Sequence, residues 1–203
     1  MAHPKGRNRL EPRKLPAQSR STATVNAVLE AAARILERRG FEGYTTNAVA
    51  ERAGISIGSL YQYFPSKDAV TVALIEREAA ELIANIAVVP SIKSYEAALD
   101  HLIRSAVAHQ MRRPKLARLL DIEESRLPIR SRTGRVDHVV HAALVRVLSQ
   151  HDAHMAGDVE VAAFDVLAIV KGMVDAAGER QETNALHLER RVRQAVFGYL
   201  SVR

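Results

Sequence analysis

The chain has 203 residues, no Cys, no Trp and a formal net charge of +6. The lack of Cys excludes disulfides, thiol catalysis, Fe–S clusters and Cys-ligated zinc. The N-terminus is charged but lacks the apolar stretch of a signal peptide. No apolar run approaches the ~18 residues of a membrane span. We therefore predict a cytoplasmic protein that has no membrane partner.

The positive charge is concentrated at the N-terminus. Residues 1–20 carry six basic side chains and one acidic one, whereas the other 183 residues carry 23 basic and 22 acidic groups. Pro4, Pro12 and Pro16 interrupt this segment, so we predict a flexible basic arm over residues 1–21. A basic block next to a nearly neutral body favours a polyanionic partner, most often nucleic acid.

Beyond the arm, apolar residues recur at helical spacing, and neither a hairpin signal nor an alternating strand pattern occurs. Gly40, Gly54, Pro65, Pro90 and Pro114 are predicted to end helices. The fold class is therefore all-α, with about nine helices. The predicted helices span approximately residues 22–39, 46–53, 57–64, 66–89, 94–110, 115–124, 130 or 133–151, 159–176 and 185–201.

The second and third helices are short, and a tight turn that begins at Gly54 separates them. Five of the nine aromatic residues lie between positions 41 and 64. This length and spacing are typical of a helix-turn-helix motif. With Val49 and Ala53 of the first helix and Leu60 and Phe64 of the second predicted to be buried, a polar and aromatic surface faces outward. An ordinary helical hairpin with exposed tyrosines would give the same pattern.

Residues 22–75 resemble the DNA-binding domain of the tetracycline-repressor (TetR) family. The motifs that carry this resemblance, all at the family's spacing, are Gly40-Phe41, Thr45-Thr46, Ala50-Glu51-Arg52-Ala53-Gly54, Leu60-Tyr61-Gln62-Tyr63-Phe64 and Ser66-Lys67-Asp68. The resemblance implies an N-terminal three-helix helix-turn-helix domain over 22–66. A helical ligand-binding and dimerisation domain over 67–203 follows it. The resemblance also implies a homodimeric, ligand-responsive transcriptional regulator, usually a repressor. We expect no cofactor.

The resemblance also implies which residues meet DNA. The position of Thr46 contacts phosphate, and those of Tyr63 and Lys67 hold the DNA backbone. The positions that face the major groove are those of Ser56, Ile57, Gly58, Ser59, Tyr61 and Gln62. The predicted DNA-binding set is Thr45, Thr46, Ser56, Ile57, Gly58, Ser59, Tyr61, Gln62, Tyr63 and Lys67. The third helix contains no Lys or Arg, so it cannot form an Arg–guanine pair. Gln62 and Tyr61 are therefore the better candidates for reading sequence.

Gly54-Ile55-Ser56-Ile57-Gly58 also matches the G-x-S-x-G pattern of serine hydrolases. That mechanism requires a strand before the serine and a helix after it. Because a helix is predicted on each side, we expect Ser56 to cap a helix, and we expect no enzyme.

The remaining partners follow from the resemblance. We expect a double-stranded operator that is nearly palindromic, a homodimer formed through the last two helices, and an apolar or amphipathic small-molecule effector. An apolar pocket is the default expectation for such a core. The predicted pocket residues are Leu102, Ile103, Val107, Leu119, Leu120, Val140, Leu144 and Phe164.

Three alternatives stay open at this point. His138 and His141 with Asp137, or His151 and His154 with Asp152, could hold a metal, although solvated surface is favoured and no metal is predicted. The basic side chains over residues 112–135 could bind an anion such as an acyl-CoA. The basic arm could instead belong to a nonspecific nucleic-acid-binding protein. The effector, the operator sequence, the target genes and the choice between repressor and activator are left undetermined.

Overall fold

The computed structural model describes residues 19–127, 130–151 and 158–201, together with the side chains of these residues except 19, 20, 130–135 and 151. Within those ranges the fold is all-α, as predicted, and no strand occurs. The α-helices are α1 (Ser19–Gly43), α2 (Thr46–Arg52), α3 (Ile57–Tyr63), α4 (Lys67–Ile86), α5 (Tyr95–Arg112), α6 (Pro114–Arg126), α7 (Arg130–His151), α8 (Val159–Glu179) and α9 (Ala185–Ser201). A 3₁₀ turn at Val89–Ser91 follows α4. The predicted arm up to residue 18 lies outside the described residues, and α1 begins within the arm's last three positions.

Glycine and proline set several helix ends, as predicted. Gly40 breaks the helical path with φ 62° and ψ −158°, and Gly54 follows α2 with φ 70°. The predicted end of the fourth helix is wrong, and Pro114 follows one helix and starts the next. Helix α4 ends at Ile86 instead of Val89, and the chain then passes into the 3₁₀ turn that contains Pro90, which has no N–H to extend the α-helix. Pro114 begins α6, since a proline at the first helical position loses no hydrogen bond.

The chain packs into two compact units. The first unit has the bounds Met1–Arg77 and Leu119–Pro128. Its core takes Val28, Ala32 and Leu36 from α1, Val49 and Ala50 from α2, Leu60 from α3 and the adjoining Phe64. The prediction that Ala53 is buried is wrong: this residue is only half-buried, and Ala50 takes its place on the buried face.

The second unit comprises Glu78–Arg118 and Ile129–Arg203. Its described core is built from α5, α7, α8 and α9 together with the end of α4, and it includes Leu99, Ile103, Leu148, Leu188 and Val192. Helices α5 and α8 approach closely where Gly178 meets the buried Gln110 side chain. A Cβ at Gly178 would lie 2.4 Å from Gln110 Nε2, so only a glycine fits at this position without displacing that side chain. This division follows packing alone, so the predicted functional boundary between residues 66 and 67 stays a prediction.

No helix in the described part of the chain is long and apolar enough to cross a membrane.

Candidate nucleic-acid interface

Side-chain caps fix the starts of α2 and α3. The Thr45 hydroxyl accepts a hydrogen bond from the Ala48 N–H at 3.2 Å, and Ser56 Oγ accepts one from the Ser59 N–H at 3.0 Å. Each cap satisfies an N–H group that the first helical turn would otherwise leave unpaired. Gly54 supplies the left-handed conformation between the two helices, so the direction of α3 is set locally.

Tyr44 connects the segment after α1 to the first two turns of α4. Its side chain is 1% exposed, and its hydroxyl lies 3.0 Å from Thr71 Oγ1. Thr71 donates its own proton to the Lys67 carbonyl, so Tyr44 is the donor in this pair. Burial raises the pKa of Tyr44 above its ordinary value, since the charged phenolate would be desolvated. The Lys67 ammonium lies 5.5 Å from the centre of the Tyr44 ring.

The outward face of α3 carries most of the predicted contact residues. Ile57 is 38% exposed and Tyr61 is 41% exposed. Ser56, Gly58 and Gln62 are exposed as well, while Ser59 and Tyr63 are half-buried. A Cβ added to Gly58 would meet only Ser56 Oγ, at 3.8 Å, so the helix surface is open there. A macromolecular surface can therefore approach this helix closely.

Several hydroxyl groups on this surface are already hydrogen-bonded to one another. Thr46 Oγ1 lies 3.3 Å from the Tyr61 hydroxyl, which connects α2 to α3. Ser56 Oγ lies 2.9 Å from Ser59 Oγ. Among the described residues, no group forms a hydrogen bond or an ion pair with the Gln62 amide. Gln62 is therefore free to bind an outside partner with both its donor and its acceptor.

An ion-pair cluster neutralises the carboxylate beside Lys67. The Arg126 guanidinium donates to Asp68 at 2.7 Å and to Glu123 at 2.7 Å. The hydrogen bonds to Glu123 and Asp68 raise the pKa of Arg126. Local sequence gives no signal for this cluster, since Asp68 and Arg126 are 58 positions apart. Lys67 itself is exposed, so its positive charge is available to a phosphate.

The predicted pocket residues do not form one group. Leu102, Ile103, Val107 and Leu144 belong to the core of the second unit, and the half-buried Val140 packs against that core. The other three are placed elsewhere. Leu119 and Leu120 are buried in the first unit, while Phe164 is 58% exposed, with its ring centre 4.0 Å from that of His141.

The basic segment is partly neutralised by intramolecular ion pairs. Arg112 pairs with Glu78 at 2.6 Å and also with Glu81, while Arg126 is held by the cluster described above. The side chains of Arg130, Arg132 and Arg135 lie outside the described residues. Arg112 and Arg126 thus have acidic partners within the chain, which weakens the case for an anion site that uses them.

The histidine alternative gains no support from the described residues, in which no group of three potential metal ligands occurs. His141 faces Glu160 at 3.3 Å and the Phe164 ring. Asp152 and His154 lie outside the described residues, as does the His151 side chain.

The hydrolase alternative is wrong. Ser56 follows a helix and caps α3, with its hydroxyl bonded to Ser59, so the strand that a nucleophile elbow requires is replaced by α2.

Comparison with known proteins identifies the family. Residues 28–74 match the family model described as "Bacterial regulatory proteins, tetR family", and residues 94–200 match "Tetracyclin repressor-like, C-terminal domain". The second match covers more than half of the chain. The chain therefore belongs to the TetR family of DNA-binding transcriptional regulators, and it is not an enzyme.

Two curated relatives match part of the chain. The repressor KstR of Mycolicibacterium smegmatis is 43% identical over 51 residues, which span 25% of this chain and 25% of that protein. The regulator EthR of the same organism is 34% identical over 86 residues, 42% of this chain and 34% of its own length. The matched segments thus span a quarter to a third of these relatives.

Two solved structures have the same fold. A TetR transcription regulator from Haloarcula marismortui aligns with a TM-score of 0.77 and 20% identity, over 89% of this chain and 98% of that one. FadR from Bacillus subtilis in complex with stearoyl-CoA aligns with a TM-score of 0.71 and 16% identity, over 84% and 96%.

Proposed function

We propose that this regulator binds a nearly palindromic operator as a homodimer, represses transcription there, and is released by a small-molecule effector. The DNA-binding residues are Thr45, Thr46, Ser56, Ile57, Gly58, Ser59, Tyr61, Gln62, Tyr63 and Lys67. The observation that carries the proposal is the outward face of α3, which presents polar groups at an exposed helix whose start and direction are fixed by caps. The DNA-binding domain spans 22–66, and residues 67–203 bind the effector and the second subunit.

The exposed faces of α8 and α9 support the homodimer. Helix α8 exposes Phe164 and Gly172, and α9 exposes Leu186, which is 76% exposed, and Gly198. A Cβ at Gly172 or at Gly198 would meet no atom within 4 Å. Exposed apolar side chains and open glycine positions on these two helices suit packing against a second copy of the same helices. A dimer would then place two copies of α3 about one DNA turn apart.

Helix α4 is our candidate for the coupling element. Its residues up to Arg77 belong to the first unit and those from Glu78 onward to the second, so one continuous helix contributes to both. An effector that binds one conformation of the second unit more tightly than another raises the population of that conformation. Helix α4 then changes position with the second unit. Its effect on DNA affinity cannot exceed that difference in its own affinity.

The effector in this proposal is an apolar or amphipathic small molecule. Leu102, Ile103 and Val107 lie on α5 within the apolar core of the second unit, where a cavity would open between helices. The solved FadR complex with stearoyl-CoA makes long-chain acyl-CoA a reasonable first probe. Because Arg112 and Arg126 are paired internally, the acyl chain should contribute more binding energy than the phosphates.

DNase footprinting on duplexes enriched from a random library tests the proposal. A discrete, symmetric protected segment supports it. Uniform coating of the DNA would contradict it and would favour the nonspecific alternative.

Stearoyl-CoA, free fatty acids and neutral lipophilic compounds are then screened by thermal shift. A compound that raises Tm should also abolish the footprint, while one that leaves Tm unchanged should leave the footprint intact. If every compound that raises Tm left the footprint intact, effector release would be contradicted.

A further inference from the structure

Gln62 occupies the centre of the outward face of α3. Leu60 and Phe64 are both fully buried, and Gln62 lies two residues from each of them. Since each helical residue advances about 100° around the axis, a shift of two residues places Gln62 on the side opposite the core. Gly58 lies one turn earlier on the same side, where the helix surface is open. The Gln62 side chain is thus positioned to enter a groove more deeply than its neighbours.

The other polar groups of α3 are less suited to contacting a base. The Tyr61 hydroxyl is bonded to Thr46, on the flank that faces α2, and the Ser56 and Ser59 hydroxyls are bonded to each other. Hydroxyl groups that already share one hydrogen bond can still contact phosphate, which makes few demands on geometry. A pair of directed hydrogen bonds to a base edge needs a group whose donor and acceptor are both free, and the Gln62 amide is such a group.

The amide chemistry selects the base. In the major groove adenine presents N7 as an acceptor and N6 as a donor, which match the Gln nitrogen and oxygen respectively. Guanine presents two acceptors, so one of them would face the amide oxygen. Cytosine presents only one donor. The absence of Lys and Arg from α3 removes the usual partners of guanine.

We infer that Gln62 is the specificity-determining residue of this regulator, and that each operator half-site contains an adenine read by its side-chain amide. This inference rests on the proposed operator binding and names the base at one position of that operator. Tyr61, Ser59 and Thr46 position the helix on the phosphates, so they affect affinity more than base preference.

Selection from a random duplex library, carried out with the wild-type protein and with Gln62→Ala, tests the inference. The wild type should require adenine at one position of each half-site. Gln62→Ala should lose the preference at that position alone and keep the others. Tyr61→Phe should lower affinity by a similar factor for every sequence and keep the adenine preference. Gln150→Ala, at an exposed position of α7, should match the wild type in both respects.

A base analogue then tests the contact directly. Replacing the preferred adenine by 7-deazaadenine removes the N7 acceptor, and it should weaken wild-type binding by about 10-fold. The same replacement should leave Gln62→Ala unaffected. Unaltered Tm and circular dichroism of the variant would show that it is folded.

The possible failures are distinguishable. If Gln62→Ala keeps the adenine preference, or if 7-deazaadenine weakens both proteins equally, Gln62 does not read the base and the inference is overturned, although operator binding stands. If the wild-type protein selects no discrete sequence, the proposed function fails first and the inference fails with it.

Discussion

The Tyr44 hydroxyl donates a hydrogen bond within the core of the first unit, to Thr71 Oγ1 at 3.0 Å. Tyr44→Phe should lower the free energy of unfolding by about 1 kcal/mol, because it removes one buried bond while Thr71 keeps its bond to the Lys67 carbonyl. Urea denaturation measures the change as a lower midpoint at constant slope. Tyr63→Phe is the matched control, since Tyr63 is only half-buried, and it should leave the midpoint nearly unchanged.

The same residue makes stability depend on pH at the alkaline end. Burial raises the pKa of Tyr44 in the folded protein, whereas the unfolded chain has the ordinary value of about 10. Above pH 10 the unfolded state therefore loses a proton that the folded state keeps, and the free energy of unfolding falls as pH rises. The contribution of this one group is about 1.4 kcal/mol per pH unit.

Comparing Tyr44→Phe with the wild type isolates that contribution. Chemical denaturation between pH 9 and pH 11 should show a steeper loss of stability for the wild type than for the variant. Parallel profiles for the two proteins would mean that Tyr44 titrates in the folded state as it does in the unfolded one.

At the scale of elements, two glycines close together in the helix-turn-helix motif should respond oppositely to alanine. Gly54 has φ 70°, a conformation that costs an L-residue roughly 1–2 kcal/mol, so Gly54→Ala should be destabilising. Gly58 lies inside α3 with open space around it, so Gly58→Ala should stabilise the fold by up to about 1 kcal/mol. Thermal unfolding of both variants checks the signs.

The two substitutions also separate stability from DNA binding. Gly58→Ala should weaken operator binding despite its higher Tm, because the added methyl group occupies the space through which DNA approaches. If Gly58→Ala bound DNA as tightly as the wild type, this part of α3 would lie away from the groove.

Most elements of the fold could be predicted from the sequence because their signals are local. The helical period and the helix-breaking residues located every helix of the described chain, and Ser56 acts as the predicted N-cap of α3. Helix ends near proline were less accurate, since Pro114 can either follow a helix or begin one. Such ambiguity is resolved by the packing of the next helix, which local sequence does not specify.

The candidate site was predictable only in part. The resemblance identified α3 and its exposed residues, but the burial of Tyr44 and the pairing of Asp68 with Arg126 depend on contacts between distant segments. The pocket prediction grouped apolar residues by composition. It therefore could not distinguish Ile103, in the core, from Phe164, which is exposed.

At the level of the whole molecule, the proposed operator binding requires a dimer. Phe164→Asp places a charge on the exposed face of α8 and should shift the protein from dimer to monomer at micromolar concentration. Ile122→Asp is the matched control, because Ile122 is an exposed apolar residue, 50% exposed, on α6. Sedimentation velocity of the two variants and the wild type checks this expectation. A dimeric Phe164→Asp protein would argue against the α8 face as the interface.

The basic arm should add affinity without adding specificity. Deleting residues 1–18, which carry five cations, leaves α1 intact from Ser19 onward. Each phosphate that a cation neutralises contributes about −0.9 to the slope of log K against log salt concentration. The deletion should therefore flatten that slope by a few units and keep the selected sequence. An unchanged slope would mean that the arm does not contact DNA.

The spacing of the half-sites tests whether a dimer reads two half-sites on one face of DNA. Inserting five base pairs at the centre of the selected operator rotates one half-site by about half a turn relative to the other. A gel-shift titration should then show affinity falling to that of an isolated half-site for wild-type protein. Unchanged affinity for the spaced operator would contradict binding by a dimer to both half-sites, since it would mean that each recognition helix binds independently of its partner.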